Sequence, residues 1–312
     1  MPSPRHPEHQ YLDLLRQVWE HGDERRDRTG VGTRSLFGAT MRFSLADDAI
    51  PLLTTKRIAW KVAAREMLWF LSGSTNIRPL VEQKVHIWTD WPLARYRAHS
   101  GEAIDRDTFE QRILDDDAFA AEWGDLGPVY GKQWVDWPRF EPDAVHPELF
   151  RRAATGINQI AMLVHGLRHN PASRRHIFTG WNVAELDEMA LPPCHMTYQY
   201  HVSADRLSGM LWQRSCDLGL GFAFNAFSAA LLIRMLAQQC ELEPGELVWS
   251  GGDAHVYLNH EHLVAEQLSR EPRGTPRLRI LRKPDSIFDY RIEDFEVVDY
   301  DPHPHIAAPV AV

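Results

Sequence analysis

Within "ALPPCHMTYQYHV", residues 190–202, Cys194 follows two prolines and precedes a histidine at the mouth of a strand-like segment. A thiol is the best side-chain nucleophile near neutral pH, above all where a cation or a chain turn favours its thiolate. Pro192 and Pro193 restrict the backbone ahead of it, a device that fixes direction and that a cysteine merely filling core space does not need. Arginines form a second set: Arg28 in "DRTGVGT", Arg174 and Arg175 in "NPASRRHIF", and Arg214 beside Ser215 in "QRSCD". Each alone reads as a solvated surface group. Converged, their guanidinium forks with a neighbouring hydroxyl suit a phosphate monoester.

Glu66 lies inside the apolar run "AWKVAAREMLWFLSG". A carboxylate on an apolar helix face has a raised pKa and can transfer protons at neutral pH, whereas on the polar edge it is only a solvated charge. Asn225, in "DLGLGFAFNAF", can both donate and accept, which is what an imide edge such as uracil's requires. His255, His260 and His262 match no helical zinc spacing, so hydrogen bonding to a ligand is the better use of them and no metal is expected. "GPVYGKQ" is one residue short of a phosphate-binding loop and carries Gln133 where a hydroxyl should meet magnesium. The absence of Gly-x-Gly-x-x-Gly after a strand speaks against a nicotinamide-linked oxidoreductase.

The elements that must position these groups show in the periodicity. Residues 10–21 predict an amphipathic helix stopped by Gly22, and 36–45 a half-buried strand. Residues 59–73 predict a core helix closed by Gly73, with Trp60, Ala63, Ala64, Met67, Leu68 and Leu71 on one face. Residues 94–123, dense in charges of both signs, read as a solvated and removable helical insertion, and 139–150, with two prolines, as a loop. A helix at 155–169 precedes three extended segments. In the second, Met196, Tyr198, Tyr200 and Val202 alternate against His195, Thr197, Gln199 and His201. Residues 225–240 are nearly continuous in apolar side chains but too short to span a membrane, which predicts a buried central helix. The fold expected is α+β, helices packed on a largely antiparallel sheet.

A net charge of −9 over 312 residues argues against a broad footprint on nucleic acid or an anionic membrane. The three cysteines, Cys194, Cys216 and Cys240, include no Cys-x-x-Cys pair, and no apolar leader opens the chain. A reducing cytoplasm is the expected compartment.

"DRTGVGT", "LWFLSG", "GDLGPVYGKQW", "SRR", "LPPCH", "QRSCD", "GDAHVYLNH" and "YDPHPHIAAPVAV" together resemble the thymidylate synthase family from about residue 10 to the end of the chain. The resemblance implies a single catalytic domain over 1–312 with the insertion at about 94–123, and a large twisted sheet that forms the interface of a homodimer. By it, the reaction is reductive methylation of dUMP at C5 by 5,10-methylenetetrahydrofolate as co-substrate, through a Cys194 adduct at C6. Glu66, Tyr130, His195, Asp217 and Asn225 would join Cys194 in catalysis. Arg28, Gln213, Arg214, Ser215, Asn225, His255 and Tyr257 would hold dUMP, with Arg174 and Arg175 reaching in from the partner subunit. Ile87, Trp88, Trp91, Leu191, Asp217, Leu220, Gly221 and Phe224 would meet the reduced folate, and the terminal Ala311 and Val312 would fold over the site.

Ala223, Ala226, Ala229 and Thr89 depart from the family's usual residues, and the first and third are expected to loosen the wall near nucleotide and folate. The rival within the superfamily is a pyrimidine nucleotide 5-hydroxymethylase, in which water captures the methylene intermediate. Asn225, rather than the aspartate of cytidylate-acting relatives, favours uracil, and Trp88 with the closing terminus favours a dry site. A catalytically dead homologue that binds RNA is opposed by the net acidity.

Overall fold

The computed structural model describes residues 5–26 and 30–310. The elements run α1 (His9–His21), β1 (Asp23–Arg25), β2 (Thr33–Ser44), α2 (Trp60–Ser72), α3 (Arg78–Glu82), α4 (Asp90–Ser100), α5 (Arg106–Asp115), α6 (Asp117–Trp123), α7 (Tyr130–Val135), β3 (Phe140–Pro142) and β4 (Phe150–Arg152). After them come α8 (Gln159–His169), β5 (Ile177–Thr179), β6 (His195–Ser203), β7 (Arg206–Asp217), α9 (Gly221–Cys240), β8 (Glu243–Tyr257), α10 (Glu261–Leu268), β9 (Arg277–Ile280) and β10 (Phe295–Val298). They form two compact units, one of Met1–Ala64, Leu167–Ile177 and Cys194–Val312, the other of Arg65–Gly166 and Phe178–Pro193.

A six-stranded sheet has the order β1-β2-β8-β7-β6-β5, and its strands β1, β2, β8, β7 and β6 belong to the first unit. β1–β2, β2–β8 and β6–β7 pair antiparallel, as the mostly antiparallel expectation requires. β7 and β8 are parallel, because the chain between them is the crossover helix α9. That helix starts at Gly221, four residues earlier than the apolar run suggests. Its 20 residues are long and apolar enough to cross a membrane, contrary to the expectation that it is too short, yet 78% of the apolar window is buried inside the protein. It is the core of this unit: Leu231, Leu232, Ile233, Met235 and Leu236 are at most 1% exposed, each contributing roughly 1.5–3 kcal/mol by burial. Ala223, Ala226 and Ala229 lie on it and are all buried. β7 approaches it closely at Gly209, where a Cβ would stand 2.7 Å from Ile233 Cγ1.

The strict alternation expected of β6 fails at its start. A β-bulge between His195 and Thr197 shifts the register, so His195 is buried on the same side as Tyr198 and Tyr200 rather than opposite them. The proline-bearing stretch from 139 is not simply a loop either. Phe140–Pro142 pairs antiparallel with Phe150–Arg152, and Pro142 is tolerated at the end of an edge strand.

In the second unit the charged insertion is helical, as expected, but it carries an aromatic core of its own. Phe109 and Ile113 are fully buried, Tyr96 and Phe119 stack edge-on at 5.2 Å, and the Arg112 guanidinium lies 4.1 Å over Phe119. Gly131 lets α7 press against α2, since a Cβ there would lie 2.4 Å from the Phe70 carbonyl oxygen.

Arg234 shows what α9 does for the loop after β2. It is 5% exposed, and its Nη2 donates to the carbonyls of Leu45 (2.7 Å) and Ala49 (2.9 Å) while Nη1 reaches Asp48 at 3.1 Å. Arg234→Met strands two carbonyls, so urea denaturation is expected to show a loss of about 2–4 kcal/mol. Asp48→Asn, which alters the exposed partner, should cost less than about 1 kcal/mol.

Candidate active site

The first unit holds the thiol and the groups expected around a nucleotide. Cys194 sits immediately before β6, half-buried, and its carbonyl accepts from Arg214 N at 3.0 Å, which sets thiol and guanidinium on neighbouring strands. Burial pushes the Cys216 thiol well above its ordinary range and raises that of Cys240 as well. Both thiolates are thereby disfavoured. The described cysteines form no disulfide.

One residue beyond the thiol, His195 sits 3% exposed. Burial lowers its pKa to about 4, against a hydrogen bond with Asn225 that raises it, and Tyr198 Oη lies 3.1 Å from Nδ1. The ring is therefore neutral at physiological pH and serves as a hydrogen-bonding group, not an acid.

Asn225 stands on the second turn of α9. Its Oδ1 accepts from Gln213 Nε2 at 2.8 Å, and Gln213 Oε1 accepts from Trp249 Nε1 at 2.9 Å. Because the indole can only donate, it fixes which end of the Gln213 amide is oxygen. Gln213 in turn fixes which end of the Asn225 amide is oxygen, so that Oδ1 stands as acceptor and Nδ2 as donor. That is the complement of a uracil N3–H and O4 edge.

Ser215 and Asp217 follow Arg214 on β7, in register with Asp253 and His255 of β8. Asp217 accepts from Gly219 N (2.7 Å) and Leu220 N (3.2 Å), so both carboxylate oxygens shape the turn that starts α9. Leu220, Gly221 and Phe224 follow, half-buried. His255 is pulled down by burial, but the hydrogen bond to Asp253 and the charges of Asp217 and Asp253 outweigh this and leave its pKa raised. Its ring meets Tyr257 edge-on at 5.4 Å. Arg174 and Arg175 are exposed in the turn before β5. Arg28 and Ala311 lie outside the described residues, as does Val312. The tail is held up to Pro309, whose carbonyl lies 2.8 Å from His260 Nε2.

The second unit brings together Glu66, Trp88, Trp91 and Tyr130. Glu66 Oε1 accepts from Trp88 Nε1 at 2.8 Å. Burial raises the Glu66 pKa to about 7, with the indole N–H pulling the other way. Trp88 packs against Trp91 at 5.4 Å and Tyr130 at 5.8 Å, and Tyr130 stacks on Phe70 at 4.5 Å. Ile87 is 40% exposed beside them, and Leu191 is half-buried in the segment that leads to the thiol. An aromatic wall of this kind fits a flat conjugated ligand such as a pterin.

Two residues escaped the sequence reading. Lys56 is 2% exposed, donates to the Gly219 carbonyl and is held at about 8 by burial, against the nearby charges of Asp217 and Glu8. Its one signal was a Lys-Arg pair in the otherwise apolar and hydroxyl run "PLLTTKRIAW". Trp249 gave none, since an aromatic in a β-strand is ordinary core. Among the described residues no group of three or more His, Cys, Asp or Glu could hold a metal ion.

A strand-mouth thiol beside an arginine, with an amide locked to read an imide, fits the class of enzymes that attack a pyrimidine base through sulfur. A family model described as thymidylate synthase matches residues 9–312. Proteins named thymidylate synthase from Novosphingobium aromaticivorans, Rhizorhabdus wittichii and Sphingopyxis alaskensis are 68%, 70% and 69% identical to the chain, covering 99%, 98% and 100% of it and 98%, 99% and 100% of their own lengths. With matches of that extent, the chain belongs to the thymidylate synthase family.

The Glu66 pKa has a testable consequence for stability. An unfolded glutamate loses its proton near 4.5, whereas folded Glu66 keeps its own to about 7. Between those values the folded state binds the extra proton, so this residue's contribution to stability falls as pH rises through the window, by roughly 3 kcal/mol. Thermal melts of Glu66→Gln against pH are expected to lack that decline.

Proposed function

We propose that the family's reaction, C5 methylation of dUMP to dTMP with 5,10-methylenetetrahydrofolate converted to dihydrofolate, runs in this chain through a covalent bond from Cys194 to C6. The observation that carries this assignment is the fixed amide of Asn225 on the same unit as the half-buried thiol. Cys194 adds to C6, and the electron pair displaced from the C5–C6 bond makes C5 an enolate carbon. Asn225 holds the N3–H and O4 edge, with neutral His195 in its hydrogen-bonded surroundings. Glu66, titrating near 7, assists through water at O4, where charge develops. C5 then forms its bond to the one-carbon unit, Tyr130 belongs to the network that removes the C5 proton, and sulfur leaves C6 once hydride has reached the new carbon. The reduced folate supplies both the one-carbon unit and the hydride. Trp88, Trp91, Ile87, Leu191, Leu220, Gly221 and Phe224 would hold it, with Asp217 on its pterin, and the terminal Ala311 would help exclude water.

Arg28, Arg214 and Ser215 bind the phosphate, and His255 and Tyr257 the 3′-hydroxyl. Arg174 and Arg175, exposed in one chain, complete the phosphate site of a partner copy, which makes the enzyme a homodimer. Phe37 (91% exposed), Ile177 and Trp212 stand exposed on strands of the main sheet and support this reading, because apolar area of that kind is normally covered. The compartment we infer is the cytoplasm.

Incubation with dUMP and 5,10-methylenetetrahydrofolate is expected to give a nucleotide heavier by one methylene and an equal amount of dihydrofolate by mass spectrometry. A hydroxymethyl nucleotide with tetrahydrofolate would mean that water captures the intermediate. Cys194→Ser should reduce turnover by on the order of 10³-fold or more. Mixing inactive Cys194→Ser subunits with inactive Arg174→Ala/Arg175→Ala subunits should restore about a quarter of wild-type activity, since half of the dimers then contain one intact site. No restoration would place those arginines outside the partner's site.

A further inference from the structure

We propose that Glu110, supplied by the charged insertion, is a positioning residue for the reaction: it holds the segment His86–Thr89 and through it the indole of Trp88. Glu110 lies on α5 and is 6% exposed. Its Oε1 accepts from Thr89 Oγ1 at 2.5 Å, and its Oε2 lies 2.7 Å from His86 Nδ1, which donates to it. These partners bracket Ile87 and Trp88, and Thr89 N donates to the His86 carbonyl at 3.1 Å, closing the segment into a tight turn. Trp88 in turn donates from Nε1 to Glu66 at 2.8 Å.

A buried carboxylate is costly unless its oxygens are satisfied, and here both are spent on one four-residue segment. A surface ornament has no need of such a group. The other inward side chains of α5, Phe109 and Ile113, give the insertion its own apolar core, so Glu110 is not required to pack the helix. The insertion thus reaches the chemistry through a continuous path inside one compact unit, from Glu110 to His86 and Thr89, across Trp88, to Glu66. Loss of the Trp88 N–H would raise the Glu66 pKa further, because that bond favours the ionised carboxylate. This role rests on the assignment of Trp88 and Ile87 to folate and of Glu66 to proton transfer.

Hydrogen–deuterium exchange of residues 85–93 and steady-state kinetics, both on the full-length enzyme, test it. Glu110→Ala is expected to speed exchange in that segment by about tenfold and raise the folate KM by about tenfold, with the dUMP KM changed by less than about twofold. It should also move the Glu66 limb of the pH–rate profile upward. Glu110→Gln, which keeps an acceptor for Thr89, should recover most of each effect, and Thr89→Val should show a smaller version of all three. If Glu110→Ala does not fold, Thr89→Val carries the test. Unchanged exchange in a folded variant overturns the proposal. Faster exchange with unchanged folate KM and pH limb overturns the role in the reaction and leaves only an anchor for the segment. Trp88→Phe separates the two readings: if it leaves folate KM and the pH limb untouched, the assignment of Trp88 fails, whatever Glu110 does.

Discussion

An indole N–H has no alternative to donating, and Trp249, fully buried on β8, points its own at Gln213 Oε1. The orientation of the base-reading amide depends on that one-way bond. It sets the Gln213 amide, whose Nε2 then faces Asn225 Oδ1 and the Ser215 carbonyl. A flipped Asn225 would set two N–H groups against each other, so the side chain is held in the orientation that complements uracil. A flipped asparagine would complement cytosine equally well. Discrimination therefore resides in three residues on β7, β8 and α9, of which Gln213 and Trp249 are buried and half-buried Asn225 alone faces the base.

The same economy governs protonation. His195 and Glu66 are both buried, and burial drives each towards its neutral form: the imidazole is held at about 4 and the carboxyl at about 7. One is fixed in a single state across the physiological range, suited to structure, and the other is poised to exchange a proton, suited to chemistry. Of the three thiols, burial holds Cys216 well above its ordinary range and raises half-buried Cys240 as well, which disfavours both thiolates. The proline-led entry to β6 leaves Cys194 half-buried at the strand mouth.

Much of this was legible in the sequence where local pattern decides. The helices α1 and α2, the strand β2, and Cys194, Asn225 and Glu66 stand in segments whose periodicity or turn residues announce them. What was not legible depends on pairing between distant segments. The bulge after His195 is set by its partner Gln213, and it overrides the alternation written in residues 195–202. The parallel pairing of β7 with β8 follows from α9 crossing between them, which an apolar run cannot disclose. A short strand such as β3 draws its stability from β4 and not from its own residues. Charge density correctly marked the insertion as helical but hid Glu110, a buried carboxylate among mostly exposed charged residues. The orientation of a glutamine amide leaves no trace in sequence at all.

The most direct test of this account is the binding of dUMP and dCMP to Trp249→Phe, compared with wild type by calorimetry. The ring stays and the donor goes, so Gln213 is free to turn and Asn225 to follow. The folded variant is expected to lose preference for dUMP over dCMP by about tenfold or more, largely through tighter dCMP binding. A folded Trp249→Phe protein that keeps the full wild-type preference would contradict it, and would move the reading of the base away from the Trp249–Gln213–Asn225 relay.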